Sequence, residues 1–401
     1  MNRGRHRLAA LAGALIAWTA SAVGCGRSGL GTLVSDAGSA DRPGSSADAG
    51  VPDARAPGPD VSGGPDAMDG AADLTRRSAC IPGPPQPISL ATLDDLGGVF
   101  GIVAFGDRLV VGGLIDRPID DPQAGRFDLL SLTGGAITRR DVPGGIPVGA
   151  LLAGTAVVYR LGTPEAIPGG WQFNYDHVIR WDLPTDQTLE LGLPPGRATD
   201  PLASLAANPQ GQIFWNVKGD SDDGIAMWDP ATGESTLAVE ASRILGVLDD
   251  ASNLYWPGYD ESYRGIISSR AISGGPVALL YVAPSPIPDG EATPIGIDEI
   301  SLYYTLYADS AGGILAVPKT GGAGHTIVPN AQPSLALSFD RTHIYWVDQS
   351  DGSTLRRTPK TGGPTEMLWS GPNRWIQTIT VDDCNVYWVA ANPFEVFYRG
   401  R

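Results

Sequence analysis

The chain has 401 residues and a formal net charge of -16, with 44 acidic side chains against 28 basic ones. Such an acidic surface repels phosphate backbones, so the charge argues against nucleic acid as a partner. Hydrophobic residues make up 42% of the chain, which is sufficient for a folded core. No stretch beyond the N-terminus is apolar for long enough to span a membrane.

The first residues have the features of a secretion signal. Three arginines precede an apolar run over residues 8–23, and Gly24-Cys25 follows, which predicts a signal peptide over residues 1–24. Small residues at Ala22 and Gly24 ahead of Cys25 resemble a bacterial lipobox, although Ala22 stands where that motif prefers leucine. The resemblance implies that Cys25 is lipidated after cleavage. The alternatives are an ordinary signal peptide with an incidental cysteine and an uncleaved anchor.

A low-complexity segment follows the signal. Residues 28–77 are almost free of aromatic side chains and are rich in Gly, Ala, Ser, Pro and Asp. This composition cannot bury enough apolar surface to offset the entropy lost on ordering, so we predict a disordered tether over residues 25–79. With lipid on Cys25, the protein would be exported and held in the bacterial cell envelope by the lipid alone. It would be an outer-membrane or cell-surface lipoprotein, or one that faces the periplasm.

Two further cysteines flank the remainder of the chain. Cys80 precedes the first predicted strand, and Cys384 comes just before the last aromatic strand. An exported chain reaches an oxidising compartment, which favours pairing of these two thiols. We therefore predict a Cys80–Cys384 disulfide, with two free buried thiols as the alternative.

A repeat organises the chain after residue 80. Its best copy, from His343 to Gly363, is HIYWVDQSDGSTLRRTPKTGG, in which an aromatic strand is followed by a turn, another strand and a Gly-Gly turn. Copies lie about 42 to about 50 residues apart, as in four-stranded blade repeats. An acidic turn precedes several of the aromatic strands, as at Asp340. This strand occurs seven times, more weakly at Leu109–Val111 and Val157–Tyr159 and more clearly at Ile213–Trp215, Leu254–Trp256, Leu302–Tyr304, Ile344–Val347 and Val386–Trp388.

The repeat predicts an all-β fold, a seven-bladed β-propeller over residues 80–401 after the disordered tether. A six-bladed ring is the alternative if the first blade is irregular. The last blade has three predicted strands, and Pro87–Leu93, ahead of the first complete blade, is a spare one. We expect these strands to pair and close the ring, because closure removes exposed sheet edges.

One copy of the repeat resembles a known motif. Tyr345-Trp346-Val347-Asp348 is similar to the YWTD motif of the propellers in the lipoprotein-receptor class, and the layout of the chain resembles that of repeat-bearing bacterial surface lipoproteins. The resemblance implies a propeller blade. YWTD propellers have six blades, so the resemblance supports the blade and not the blade number, and it says little about function.

We expect binding at one face of the ring. Long insertions lie between the second and third strands of blades, at Asp116–Gly125 and Gly162–Tyr175. In a propeller these connections emerge on the same side as the links between blades, and we name this side the loop face. Exposed aromatic rings there would stack on a sugar or anchor a protein; the alternative is that they pack under their own loops. The candidate residues are Trp171, Phe173, Tyr175, Tyr259, Tyr263 and Tyr307.

Acidic clusters supply the one set of candidate metal ligands. Asp220, Asp222 and Asp223 share a loop and carry the hard oxygen atoms that Ca²⁺ requires, but none of the clusters has EF-hand spacing, and solvated turn residues are the alternative. We find no P-loop, HExxH, GxSxG or CxxC motif. The other acidic clusters are Asp116, Asp120 and Asp121, and Asp348 and Asp351.

These observations favour a membrane-tethered, non-catalytic binding or scaffold propeller that presents its loop face to a protein or a glycan. We expect a monomer without a cofactor. One alternative is a propeller hydrolase or lyase that uses acidic residues and Ca²⁺. Another is an envelope assembly factor, similar in general plan to the propeller lipoprotein of the outer-membrane barrel machinery. A fold shared by many functions does not decide among them.

Overall fold

A computed structural model describes residues 82–116, 125–167, 170–199, 204–219, 222–241, 243–283, 292–306, 312–331, 333–348, 353–371 and 374–401. The signal peptide, Cys25, the tether and Cys80 lie outside the described residues. The described residues form strands and turns, and none of them belongs to a helix that could cross a membrane.

The strands form seven antiparallel sheets, which are the blades of the predicted propeller. The first strand is β1 (Ile88–Thr92). Blade 1 contains β2 (Leu96–Phe105), β3 (Arg108–Ile115), β4 (Gly125–Ser131) and β5 (Thr138–Val142). Blade 2 contains β6 (Ile146–Ala153), β7 (Ala156–Ile167), β8 (Gly170–Asp182) and β9 (Gln187–Leu191). Blade 3 contains β10 (Ala198–Thr199), β11 (Leu205–Ala207), β12 (Ile213–Lys218), β13 (Asp223–Asp229) and β14 (Glu234–Glu240).

The remaining four blades follow in chain order. Blade 4 contains β15 (Leu248–Asp249), β16 (Asn253–Tyr259), β17 (Gly265–Ala271) and β18 (Ala278–Val282). Blade 5 contains β19 (Ala292–Ile297), β20 (Ser301–Leu306), β21 (Gly313–Pro318) and β22 (His325–Pro329). Blade 6 contains β23 (Pro333–Phe339), β24 (His343–Asp348), β25 (Thr354–Pro359) and β26 (Glu366–Ser370). Blade 7 contains β27 (Ile376–Val381), β28 (Asn385–Ala390) and β29 (Glu395–Gly400).

The N-terminal strand completes the last blade. Strand β1 pairs antiparallel with β29, with Ile88 opposite Tyr398 and Thr92 opposite Glu395, so β1 is the outermost strand of blade 7. This confirms the predicted pairing of the spare strand with the unfinished blade. The six-bladed alternative is wrong, because each of the seven repeat copies supplies the second strand of its own sheet.

The aromatic second strands are buried on both faces, as their unbroken apolar runs predict. In β24 the four residues Ile344 to Val347 are all buried, and Tyr345 belongs to a core cluster with Trp388 of blade 7. Neighbouring blades therefore share their cores. A strand that is covered on two sides does not alternate between apolar and polar residues.

The recurring acidic turn connects the first and second strands of a blade. In blade 6, Asp340 Oδ1 accepts hydrogen bonds from the backbone N–H groups of Thr342 at 2.6 Å and His343 at 2.8 Å. Its Oδ2 accepts a hydrogen bond from the Tyr345 hydroxyl at 2.7 Å. One carboxylate thus closes the turn and ties it to the next strand, which explains why the acidic turn and the aromatic pair recur together. We name this arrangement the Asp–Tyr clasp.

The Gly-Gly turns connect the third and fourth strands on the same side of the ring as the clasps, which we name the turn face. In blade 6, Gly362 and Gly363 have φ angles of 80° and 120°. Side chains rarely adopt these angles, so the turn requires glycine at both positions. The predicted role of these glycines is confirmed.

The longest predicted loop is instead part of a hairpin. Strand β7 continues to Ile167 and β8 starts at Gly170, with these two residues paired. The expectation of a loop over Gly162–Tyr175 is therefore wrong. The stretch from Trp171 to Tyr175 alternates aromatic and polar residues, a period of two that is typical of a strand, and pairing satisfies the backbone groups that a long loop would leave to water.

Candidate functional site

Two of the predicted metal ligands in the blade 3 loop at the loop face accept hydrogen bonds, Asp222 through its backbone carbonyl and Asp223 through its side chain. Arg197 donates to the carbonyl oxygen of Asp222 at 2.5 Å and to Glu240 Oε1 at 2.9 Å. Asp223 Oδ2 accepts a hydrogen bond from the backbone N–H of Arg243 at 3.0 Å. The described residues contain no cluster of three or more His, Cys, Asp or Glu side chains able to hold a metal ion; Asp220 lies outside them.

The other acidic candidates also include some residues that the structure describes and some that lie outside the described residues. Asp116 follows β3, and its backbone N–H donates to the carbonyl oxygen of Asp95 at 2.8 Å. Asp348 ends β24 and is half-buried. Asp120, Asp121 and Asp351 lie outside the described residues.

The turn that carries Tyr263, between β16 and β17, is fixed by one carboxylate. Asp260 Oδ1 accepts hydrogen bonds from the backbone N–H groups of Ser262 and Arg264, both at 2.9 Å, and Oδ2 accepts one from Arg264 Nε at 2.7 Å. The bond from the Arg264 backbone is the main reason that the pKa of Asp260 lies below its usual value. Tyr263 also donates its backbone N–H to the Asp260 carbonyl at 3.0 Å.

Tyr263 is held in an exposed position by this turn. Its φ angle is 56°, its side chain is 60% exposed, and the guanidinium carbon of Arg243 lies 4.5 Å from the centre of its ring. Arg243 has a φ angle of 58° and donates from Nη1 to the Asp260 carbonyl at 3.1 Å. Two bulky residues in the left-handed region are uncommon, and here they contact each other.

Trp375, in the link between blades 6 and 7, is the second exposed aromatic residue of the loop face, with 56% of its surface exposed. Its carbonyl oxygen accepts a hydrogen bond from Ala391 N–H at 2.8 Å. The preceding Arg374 pairs with Glu395 at 2.6 Å and lies 5.0 Å from the ring centre of Phe397. Trp375 is not among the candidates predicted from the sequence; its place directly before an inner strand is the signal that would have identified it.

The other predicted aromatic residues have different surroundings. Tyr175 is half-buried at the base of the β7–β8 hairpin, where Arg160 lies 5.4 Å from its ring centre and burial raises the pKa of its hydroxyl. Tyr259 ends β16 and is half-buried. Trp171 and Phe173 lie in β8 opposite Ala166 and Pro164. Tyr307 lies outside the described residues.

A buried ion cluster lies at the boundary between blades 7 and 1. Arg126, which is 4% exposed, donates to Asp95 at 2.8 and 2.9 Å and to Asp128 at 2.9 Å. The hydrogen bonds from Arg126 hold the pKa of Asp95 at about 2, whereas burial raises the pKa of Asp128. Arg126 and Asp128 alternate with apolar residues on β4, so no distinct sequence pattern marks this cluster.

One carboxyl group near the turn face has a raised pKa. Asp249, in the innermost strand of blade 4, is half-buried, and this burial raises its pKa to about 6. Its Oδ1 accepts a hydrogen bond from Ala251 N–H at 3.2 Å. Asp249 lies at the opposite end of its blade from Tyr263.

No protein-family model matches the chain, and no curated protein matches it significantly. Solved propellers share its fold. Virginiamycin B lyase from Staphylococcus aureus is 13% identical, with a TM-score of 0.56 over 78% of this chain and 98% of that one. An oligogalacturonate lyase in complex with manganese is 12% identical, with a TM-score of 0.55 over 79% and 98%.

A third structure is the β-propeller domain of the Trilobed protease from Pyrococcus furiosus, described as having an open velcro topology. It is 12% identical, with a TM-score of 0.54 over 75% of this chain and 94% of that one. Identities this low establish the shared fold and leave activity open.

Proposed function

We propose that the protein is a non-catalytic binding propeller whose loop face holds a partner in the bacterial cell envelope. The supporting observation is that, among the described residues of that face, the charged side chains and the aromatic side chains have different surroundings. The charged side chains of Arg197, Arg126 and Arg374 are paired with neighbouring carboxylates. The rings of Tyr263 and Trp375 remain exposed. Paired charges stabilise the loops, and exposed aromatic rings are the groups that anchor ligands and partners.

The proposal includes a lipid tether and a clasped ring. Lipid on Cys25 would attach the chain to a membrane, residues 25–79 would act as the flexible spacer, and a Cys80–Cys384 disulfide would secure the N-terminal strand. One contact supports the disulfide: Gly83, three residues after Cys80, donates its backbone N–H to Asn385 Oδ1 at 2.5 Å. That hydrogen bond brings the chain near Cys80 to the residue that follows Cys384.

Capture by the full mature chain tests the binding function. The immobilised protein is incubated with solubilised envelope, and retained proteins and glycans are quantified for wild type, Trp375→Ala and Tyr263→Asn. We expect at least one of the two substitutions to reduce retention of a specific component about tenfold. Ile300→Ala is the matched control, because Ile300 is 73% exposed but lies on the turn face. Equal retention by all four proteins would contradict the proposal.

A lyase is the competing function, motivated by the two lyases that share the fold. The same full chain is therefore assayed for eliminative cleavage of oligogalacturonate in the presence of Mn²⁺. Turnover that a single inner-strand substitution abolishes would replace the binding function with the enzymatic one.

The tether is tested by the intact mass of the protein from native membranes. A chain that starts at Cys25 with added acyl mass, and that gains about two daltons on reduction, is the expected result. A chain that starts elsewhere and carries no lipid would remove the anchor from the proposal and leave the binding face unaffected.

A further inference from the structure

We infer that Tyr263 forms a stacking subsite for the sugar ring of an uncharged glycan. The inference rests on the proposed binding function and specifies its ligand. The subsite consists of the Tyr263 ring, the Arg243 guanidinium over that ring and the polar side chains of Asp260 and Arg264 from the same turn.

The subsite is rigid before any ligand arrives. Asp260 accepts two backbone hydrogen bonds and one side-chain hydrogen bond within its own turn, and Arg243 donates a further bond to the Asp260 carbonyl. Arg243 is in turn fixed through its backbone N–H by Asp223 of blade 3. A ring that is already ordered loses little entropy on binding, so more of the interaction energy is retained as affinity.

The ring offers one face to a ligand. The guanidinium of Arg243 lies 4.5 Å from the ring centre on one side, and the side chain nevertheless keeps 60% of its surface exposed. The exposed surface therefore comes from the opposite face and the ring edge. A flat aromatic face is the surface on which the C–H groups of a sugar ring pack.

Groups that bind hydroxyls lie in the same turn as Tyr263. The side chain of Arg264 is 42% exposed and that of Asp260 is 23% exposed. Arg264 contacts Asp260 through Nε and Nη2, both at 2.7 Å, and a guanidinium has five N–H donors, so donors remain for a ligand. An aromatic platform with a few convergent polar groups is the usual composition of a small-ligand site.

The pattern of exposure favours a sugar over a protein. A stable protein interface buries about 800 Å² on each partner around a continuous apolar centre. Among the loop-face side chains that the structure describes, which do not include those of Trp171 and Phe173, the large exposed apolar ones are Tyr263 on blade 4 and Trp375 before blade 7. Rings on separate blades are suited to separate sugar units, and they do not form one continuous apolar patch.

The charges favour an uncharged sugar. Arg243 and Arg264 are offset locally by Asp260 and Glu261, so the subsite has no excess of positive charge. The chain as a whole carries a net charge of -16, which repels sulfated or uronic polysaccharides. The expected ligand is therefore built from neutral hexoses or N-acetylhexosamines.

Binding of the full mature chain to an array of neutral hexose and N-acetylhexosamine oligosaccharides tests the inference. Tyr263→Asn is the central variant, because asparagine removes the ring and tolerates the left-handed backbone of this position. We expect it to weaken binding about tenfold, and we expect Tyr263→Phe, which keeps the stacking face, to stay within about threefold of wild type. Ile300→Ala on the turn face serves as the control for non-specific effects.

The outcomes separate this inference from the proposed function. Oligosaccharide binding that Tyr263→Asn removes and Ile300→Ala preserves supports the subsite. If no oligosaccharide binds while a protein from the envelope is captured at the loop face, the glycan inference fails and the binding function stands. If neither glycans nor proteins are retained, both fail. Oligosaccharide binding that is unchanged in Tyr263→Asn also overturns the subsite.

Discussion

Blades 4–7 and blades 1–2 share one fold but differ in how the turn between their first two strands is stabilised. Blades 4–7 each have an Asp–Tyr clasp at the turn face. Blades 1 and 2 instead connect their first two strands by two-residue turns, in which Phe105 pairs with Arg108 and Ala153 pairs with Ala156. The four clasps are Asp250–Tyr255 at 2.8 Å, Asp298–Tyr303 at 2.6 Å, Asp340–Tyr345 at 2.7 Å and Asp382–Tyr387 at 2.8 Å.

Three of the clasps also join adjacent blades. A cation at the end of the third strand of the next blade reaches the clasp carboxylate: Lys319 contacts Asp250, Lys360 lies 3.0 Å from Asp298, and Arg401 lies 3.0 Å from Asp340.

The boundary between blades 7 and 1 is different. Leu132 donates its backbone N–H to Asp107, as Lys319 does to Ile300 in blade 5, so an apolar residue occupies the position of the cation. That boundary has the buried Arg126 cluster at the loop face instead. An ionic connection thus lies at the turn face of three boundaries and at the loop face of the boundary between blades 7 and 1.

Among the substitutions that test this comparison, removal of Arg126 should lower the free energy of unfolding most. Arg126→Ala leaves Asp128, whose surface is fully buried, without its main counterion, and loss of one partner from a buried pair costs about 3 to 5 kcal/mol. Denaturant unfolding measures the change. The control is Arg139→Ala, because that side chain is 50% exposed and should cost below about 1 kcal/mol. An equal loss in both variants would contradict a special role for the buried cluster.

Asp249 gives blade 4 a pH dependence opposite in sign to that of three clasp carboxylates, whose pKa values are lowered. Its folded pKa of about 6 exceeds the usual 3.8, so the folded state favours the protonated form. That contribution to stability is complete below about pH 4 and is lost as the pH rises through about 6, with a total of about 3 kcal/mol.

Asp249→Asn removes this titration. The variant should therefore gain stability relative to wild type as the pH rises from 4 to 8. Unfolding free energies of both proteins across this range measure the effect. Parallel profiles for the variant and wild type would show that Asp249 does not titrate with a raised pKa.

Removing a clasp carboxylate tests the turn face directly. Asp340→Ala takes acceptors from two backbone N–H groups and from the Tyr345 hydroxyl, and its side chain is 5% exposed. We expect a loss of about 2 kcal/mol in the free energy of unfolding. Asp107→Ala in the two-residue turn of blade 1 is the matched control, since that side chain is 63% exposed and should change stability by less than about 0.5 kcal/mol. A comparable loss in the control would remove the distinction between the two kinds of turn.

Removing a cation between blades has the smallest expected effect. Although burial opposes it, hydrogen bonds from the Tyr303 hydroxyl, backbone N–H groups and Lys360 hold the pKa of Asp298 at about 2. A lowered pKa stabilises the fold above the usual value of 3.8, and this contribution is lost as the pH falls towards 2.

Lys360→Met should cost about 1 kcal/mol at pH 7 and raise the pKa of Asp298, which NMR titration measures. The difference from wild type should shrink below about pH 3. Arg108→Met, at an exposed position of blade 1, is the control. An unchanged pKa of Asp298 would show that Lys360 does not act on the clasp.

The fold could be predicted in detail because its signals are local and recur. Tyr345 and Trp346, the acidic Asp340 before them and Gly362-Gly363 after them each have a separate physical role, and this pattern recurs in the later blades, with weaker copies of the strand in blades 1 and 2. The candidate site could be predicted less well. Tyr175 and Tyr263 are both tyrosines in connections between second and third strands, yet the first packs at the base of a hairpin and the second is exposed.

The sequence by itself determined the blade repeat and the strand that closes the ring, and it favoured seven blades over six, because burial on both faces and tight turns restrict which residues a blade can contain. Only the tertiary structure decided which charged residues pair across blades and which rings stay exposed. Arg126 and Asp95 are 31 positions apart in the chain, and Arg243 and Tyr263 come from different connections. Contacts of this kind depend on how neighbouring blades are placed, and no local pattern of residues encodes that placement.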